Sequence, residues 1–242
     1  MEAKYEKRKT LGPSDCDITS RLGIPQTFEM FMDIASIHAE RLGIGTEFMM
    51  RTGMFWLTVR TRIRFIKRPA MLEEVMVTTW PNKPRGPQTI RNYVISNENG
   101  EVLAEGKTQW AVLDTKTGSL VKVDDVFPED LEPLKDKVLD EPFSKIKEDL
   151  TDCEEYAKYK VRSVDIDLGG HMNNAAYVRA LFGTFTNEEL KAMKVKDCEV
   201  CFRHPCFEGD TLTFYRRNCD DGSMEVIAVK DNGETIILVK LK

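Results

Sequence analysis

The chain has 242 residues, of which 41% are hydrophobic and 31% charged, and it carries a formal net charge of −5. This is the balance of a globular protein long enough for one large domain or two ordinary ones, and its negative charge gives no reason to expect nucleic acid as a partner. No run approaches the apolar length of a membrane span, and residues 1–7 lack the apolar core of a secretory signal, so a cytoplasmic location is expected.

In chain order, the first patterned stretch is Asp15-Cys16-Asp17, a turn, and then Pro25 at a helix start. Phe28, Phe31, Met32, Ala35, His38, Ala39 and Leu42 recur at helical spacing up to Gly43, so the sequence predicts a helix of four or five turns with a wide apolar face. Over 58–65 apolar residues alternate with Thr58, Arg60, Arg62 and Arg64, which predicts a strand with one buried face. Further strands are predicted at 73–80, 88–96 and 102–113, the last two joined by the turn Asn97-Glu98-Asn99-Gly100-Glu101. A long helix followed by an antiparallel meander makes a first unit over 1–120, with the sheet covering the helix. Phe28, Phe31 and Met32 are candidates to line an apolar binding pocket, with core packing the favoured job for most of them.

Residues 121–155 carry Pro128, Pro133 and Pro142 among many charges, with Phe127, Leu131, Leu134 and Phe143 as apolar anchors. They are expected to form a linker.

Over 156–242 the first pattern returns. Asp165-Ile166-Asp167 lies 150 positions after Asp15-Cys16-Asp17 and again precedes a turn and a helix, here 175–185. Asp231-Asn232-Gly233-Glu234 repeats the Asn-Gly-Glu turn at 99–101. One supersecondary unit therefore occurs twice. The copies differ at the helix start, where His171, Asn173 and Asn174 of the second stand for Arg21, Gly23 and Ile24 of the first.

That helix start, Asp165 to Tyr177, concentrates the polar chemistry. The first turn of a helix carries unpaired N–H groups and partial positive charge, suited to a carbonyl oxygen that becomes negative during reaction. Asn173 or Asn174 can cap it, Gly169 and Gly170 let the backbone approach a ligand, and Asp167 and His171 can move protons. Cys198, Cys201, His204 and Cys206 could resemble a zinc set, but a strand over 198–204 sends Cys198, His204 and Cys206 to one face and Cys201 to the other, so no metal is expected. Six cysteines without framework spacing are expected to be reduced thiols.

The Asp165-Ile166-Asp167, His171-Met172-Asn173-Asn174 and Tyr177 series resembles the Asp-x-Asp-x-Asn-x-His-Val-Asn-Asn-x-x-Tyr pattern of the acyl-(acyl carrier protein) thioesterases. The likeness extends from the Asp15-Cys16-Asp17 region and the helix end at Ile37 to Gly43 through the final strands. It implies an α+β tandem hot-dog fold, two antiparallel sheets each wrapping a central helix, with an acyl tunnel and the reaction at a helix start. It also implies release of fatty acid from the phosphopantetheine arm of acyl carrier protein, with neither metal nor coenzyme. Plant members carry a targeting extension that this sequence lacks, so the bacterial type is the nearer likeness.

The resemblance puts the catalytic pair at Asp167 and His171. The family's intervening Asn falls on Gly169, and its strand Glu falls on Pro205, with Cys206 matching the Cys that follows in some members. Three ways to complete the site are then open. Asp167 itself orients or deprotonates water, His204 substitutes as base from a strand face shared with Cys206, or Cys206 and His171 form a nucleophile pair. The candidate catalytic residues are therefore Asp167, His171, Asn173, Cys206 and His204. Gly169, Gly170, Asn174 and Tyr177, with Phe28, Phe31 and Met32, are the candidate substrate-binding residues. The competing readings are an acyl-CoA thioesterase and a catalytically impaired fatty-acyl binding protein, and pairing of two chains into a homodimer is left open.

Overall fold

A computed structural model describes all residues 1–242. The chain divides into two compact units, Met1–Glu141 and Pro142–Lys242. No helix is long and apolar enough to cross a membrane.

The first unit contains β1 (Tyr5–Thr10), α1 (Ile24–Arg41), α2 (Thr46–Thr52), β2 (Met54–Phe65), β3 (Glu74–Pro81), β4 (Gln88–Asn97), β5 (Val102–Asp114) and β6 (Leu120–Val121). The antiparallel strands run in the order β1-β3-β4-β5-β2, with β6 on β5. α1 begins after Gly23 with Pro25 in its first turn, and Gly43, at φ +71°, terminates it. Apart from Met30, its buried residues Ile24, Thr27, Phe28, Phe31, Ile34, Ala35 and His38 follow helical spacing and form one face. Phe28 and Phe31 are wholly buried, and Phe31 stacks on Tyr93 of β4 with ring centroids 4.4 Å apart. Gly106 of β5 makes room for that ring, since a Cβ there would lie 2.2 Å from Phe31.

The alternation predicted for 58–65 holds only from Thr61 onward. The β2–β5 register shifts between Thr58 and Arg60, so both Thr58 and Thr61 are buried. A bulge adds a residue to one strand and changes the side-chain phase. β1 and α2 were not predicted, because β1 is a polar strand at a sheet edge and α2 is only two turns long.

Residues of the expected linker from 122 to 141 pack within the first unit. Asn82 Nδ2 donates to the carbonyls of Leu134 and Asp136 (both 3.0 Å), Lys107 Nζ to that of Leu139 (2.5 Å), and Leu131 packs with Leu42 and Ile44. Residues from 144 pack within the second unit. Both oxygens of the buried Glu199 carboxylate accept from Ser144 N–H, at 2.8 and 3.0 Å.

The second unit contains β7 (Glu154–Lys160), α3 (Asn174–Phe182), α4 (Asn187–Ala192), β8 (Asp197–Phe202), β9 (Thr211–Asn218), β10 (Met224–Lys230) and β11 (Thr235–Leu241). The strand order is β8-β11-β10-β9-β7, antiparallel throughout. The repeated turns are built alike. Asn97 N–H donates to Glu101 O and Gly100 N–H to Asn97 O (both 3.0 Å), while Lys230 N–H donates to Glu234 O (2.9 Å) and Gly233 N–H to Lys230 O (2.8 Å). Gly100 and Gly233 take φ +80° and +86°.

His38 is enclosed near the C-terminus of α1. Its Nε2–H donates to Glu2 O (3.0 Å), which leaves Nδ1 to accept from Arg91 Nη1 (3.0 Å). Burial, with the Arg91 guanidinium beside it, pulls its pKa down from 6.5 to about 4. The unfolded chain therefore binds a proton that the folded chain refuses between those values, and stability rises with pH across that window and is flat above it. Urea titrations from pH 4 to 7 should show His38→Gln losing up to about 3 kcal/mol of the slope seen in the parent chain. Parallel profiles would remove His38 as the cause.

Candidate active site

The loop before α3 is a small hairpin. Asp167 N–H donates to His171 O and Gly170 N–H to Asp167 O, both at 3.0 Å, and Ile166 bridges Met172. Gly170 sits at φ +76°, the left-handed position that ends such a turn and that suits glycine. Behind it, the buried Asp165 carboxylate accepts from Tyr159 Oη (2.8 Å) and Arg162 N–H (2.9 Å), and Asp165 O accepts from Asn173 N–H (2.8 Å). Asp165 and Tyr159 were not among the predicted site residues. Their part is to hold the loop, and the Asp-x-Asp repeat was the available signal.

The hairpin sets Asp167 and His171 side by side. Asp167 Oδ1 accepts from Gly169 N–H (2.7 Å) and lies 3.8 Å from His171 Nδ1, and each side chain is 25% exposed. Gly169 thus contributes its backbone N–H to the carboxylate in place of a side-chain amide. The Asp167 Oδ2 atom is the one left for solvent or substrate. His171 Nδ1 also lies 3.4 Å from Met172 O.

Asn173 is the N-cap of α3, its side chain accepting from Ala175 N–H at 2.8 Å. Asn173 O accepts from Ala176 N–H (2.9 Å), so Asn174 N–H is the first-turn donor that remains for a ligand. Tyr177 is buried one turn further on, and its hydroxyl accepts from Cys206 N–H (2.8 Å). Met172 N–H donates to Cys206 O (2.7 Å). Cys206 therefore buttresses the hairpin through its backbone. Its side chain is fully buried, and burial pushes the thiol up to about 11 although the Tyr177 hydroxyl pulls the other way.

His204 does not share a strand face with Cys206. β8 ends at Phe202, and 203–206 is irregular, with His204 exposed and Cys206 buried. Pro205 has no N–H to extend the ladder, which ends the alternation on which the predicted shared face rested. Phe28 and Phe31 lie in the core of the first unit, and Met32 Sδ accepts from Thr58 Oγ1 at 4.0 Å.

The first unit builds the same hairpin with different chemistry. Asp17 N–H donates to Arg21 O, Ser20 N–H to Asp17 O and Gly23 N–H to Asp15 O, each at 2.9 Å, as in the second unit. Leu22 N–H donates to Pro69 O (2.9 Å), which makes Pro69 the counterpart of Cys206 and Arg68 that of Pro205. Arg68 forms an ion pair with Asp17 and donates Nε–H to Leu22 O (2.8 Å). Burial raises the Asp17 pKa, but hydrogen bonds from Thr19 and Arg68 outweigh it and hold the carboxyl below its ordinary value. In the second unit Pro205 supplies no cation and His171 replaces Arg21, so this carboxylate is not locked in an arginine pair.

The acyl-ACP thioesterase N-terminal domain model matches residues 2–131, and the C-terminal domain model matches residues 148–240. The chain is similar to oleoyl-acyl carrier protein thioesterase 2, chloroplastic, of Arabidopsis thaliana, at 23% identity over 225 residues, which is 86% of this chain and 61% of the relative. Two further plant relatives are spanned over 55% and 54% of their length, so the chain covers only part of these relatives. Its fold is that of an acyl-ACP thioesterase from Bacteroides thetaiotaomicron, with TM-score 0.85 and 20% identity, covering 99% of this chain and 97% of that one. It is also that of the 12:0-ACP thioesterase from Umbellularia californica, with TM-score 0.83 and 15% identity, covering 100% and 97%. Two domain models that account for most of its length, on a double hot-dog architecture, establish that the chain belongs to the acyl-ACP thioesterase family.

Proposed function

We propose that this chain hydrolyses fatty acyl thioesters carried by acyl carrier protein, in the cytoplasm, releasing free fatty acid and the carrier thiol. The observation that carries the reading is the Asp167–His171 pair, 3.8 Å apart, at the amide-bearing start of α3. The thioester carbonyl accepts from Asn174 N–H, where the helix end stabilises developing negative charge. Water adds to the carbonyl carbon and gives its proton to Asp167 Oδ2. The C–S bond then breaks, and the departing sulfur takes that same proton, passed from Asp167 through His171, so that both side chains return to their starting states. Asn173 acts by capping, and Gly169 and Gly170 by shaping the loop. Tyr177 and Cys206 support it from behind.

Burial of an un-ionised Cys206 favours this direct route over a covalent one. Cys206→Ala is expected to keep turnover within about threefold, since a supporting side chain away from the reacting atoms carries little of the barrier. Iodoacetamide should label Cys206 only after unfolding. Loss of turnover in Cys206→Ala with an unchanged Tm would instead make the thiol the nucleophile.

The deciding assay is thiol release from acyl carrier protein and CoA thioesters of the same acyl chains. Faster release from the carrier protein is expected. Equal or faster release from CoA selects the acyl-CoA thioesterase reading. Saturable binding without thiol release selects an acyl-binding protein, the reading that Gly169 and Pro205 favour.

A further inference from the structure

The two copies of the hairpin hold their first carboxylate by matching bonds and with different charge. In the second unit Asp165 accepts from Arg162 N–H (2.9 Å) and Tyr159 Oη (2.8 Å), and its carbonyl accepts from N–H of Asn173, the N-cap of α3 (2.8 Å). In the first unit Asp15 accepts from Gly12 N–H (2.8 Å) and pairs with Lys9 Nζ (2.7 Å), and its carbonyl accepts from N–H of Gly23, which precedes α1 (2.9 Å). Lys9 of β1 and Tyr159 of β7 stand 150 positions apart, as Asp15 and Asp165 do.

A lysine therefore props this hairpin as well as a tyrosine does, and geometry alone does not call for Tyr159. What the exchange alters is charge. Lys9 and Arg68 give each carboxylate of the first hairpin a cation. Neither Asp165 nor Asp167 is hydrogen-bonded to or ion-paired with a lysine or arginine side chain. Burial, and then the Asp165 carboxylate beside it, push the Tyr159 hydroxyl above its ordinary pKa, so it donates as a neutral group. Arg162 of the same loop and Arg179 of α3 act on that hydroxyl only through space. The remaining charges on this side are Asp210, Lys230 and Glu234 next to Cys206, where Lys230 pairs with the two carboxylates at 3.7 and 3.0 Å, and His204 near Glu234. Ile166 is extended, at φ −87° and ψ 133°, so Asp165 and Asp167 leave the chain on the same side.

Resting on the hydrolytic reading, we propose that Tyr159 is a positioning residue that tunes the reaction: it fixes the buried Asp165 without a counter-charge and so keeps a second negative charge beside the proton path from Asp167 through His171. That charge favours the proton Asp167 accepts from water and the imidazolium that carries it to sulfur, and a cation at the same place opposes both.

The test is the pH dependence of thiol release by the full chain, with Tm, for the parent, Tyr159→Lys, Tyr159→Phe and Asp167→Asn. Tyr159→Lys installs the residue that props the first hairpin, so it should fold. The acid limb of its kcat/KM profile should move to lower pH by roughly half a unit, the scale of one charge acting across a partly exposed site. Its plateau kcat should fall by up to about threefold, as the weaker base implies. Tyr159→Phe removes the prop and adds no charge, so its limb should stay in place while kcat and Tm fall. The position of the limb does not depend on how much of a variant folds, which separates the charge effect from a merely structural one. A Tyr159→Lys profile superposed on the parent's, or a limb moved equally in both Tyr159 variants, would overturn the role given to Tyr159. So would a Tyr159→Lys chain that cannot fold, since the interchangeable prop would then be lost. Asp167→Asn as fast as the parent would remove the hydrolytic reading itself, and Tyr159 with it. A slow Asp167→Asn beside a parental Tyr159→Lys profile removes only the latter.

Discussion

Asp167→Asn is expected to lower turnover by roughly 10²–10⁴-fold, the range for losing a positioned proton-transfer group, while leaving Tm nearly unchanged. Asparagine keeps the oxygen that accepts from Gly169 N–H, so the hairpin should persist and only the basic oxygen is lost. His171→Gln should cost a similar factor, because the departing sulfur then lacks its proton donor. The first unit supplies the control. Asp17→Asn disrupts the pair with Arg68 and should lower Tm without touching turnover, since that hairpin carries neither a histidine nor an unlocked carboxylate. Full turnover in both Asp167→Asn and His171→Gln would end the hydrolytic assignment at this hairpin.

The largest expected effect on stability is at Arg217. Its Nε and Nη2 both donate to Glu225 Oε2, at 2.9 and 2.7 Å, and the two side chains are only 10% and 8% exposed. The same guanidinium donates to the carbonyls of Lys147, Asp149 and Thr151, binding the incoming chain to β9 and β10. Arg217→Met should cost about 3–5 kcal/mol in urea denaturation, because it leaves a buried carboxylate without its main partner. Lys240 Nζ, 3.8 Å from Glu225 Oε1, places the loss at the lower end of that range. The double change Arg217→Met with Glu225→Leu should recover most of it by removing the stranded charge as well. A single-variant loss below about 1 kcal/mol would mean that water reaches Glu225 and the pair is effectively a surface one.

The two hairpins explain why one copy of a repeated unit carries the candidate chemistry. Backbone bonds at Asp17 and Asp167 coincide, so the fold tolerates either set of side chains. The copies differ at the equivalent register position, which holds Arg68, paired with Asp17, in one and Pro205 in the other, and the proposed function rests on that difference.

What the sequence determined by itself is local. The helix 24–41, the turns at 97–101 and 230–234, the repeat spacing of Asp-x-Asp and the adjacency of Asp167, His171 and Asn173 all rest on contacts between residues a few positions apart. Side-chain periodicity, turn glycines and capping polar residues report such contacts directly. What only the tertiary structure decided joins distant residues. It sealed Cys206 under Tyr177 and separated it from His204. It also locked Asp17 with Arg68, set Arg91 against His38, and divided the connecting segment between Lys107 and Glu199. Those outcomes depend on strand register and on where a bulge or a proline interrupts it, and a shift of one residue turns a side chain to the opposite face of the sheet.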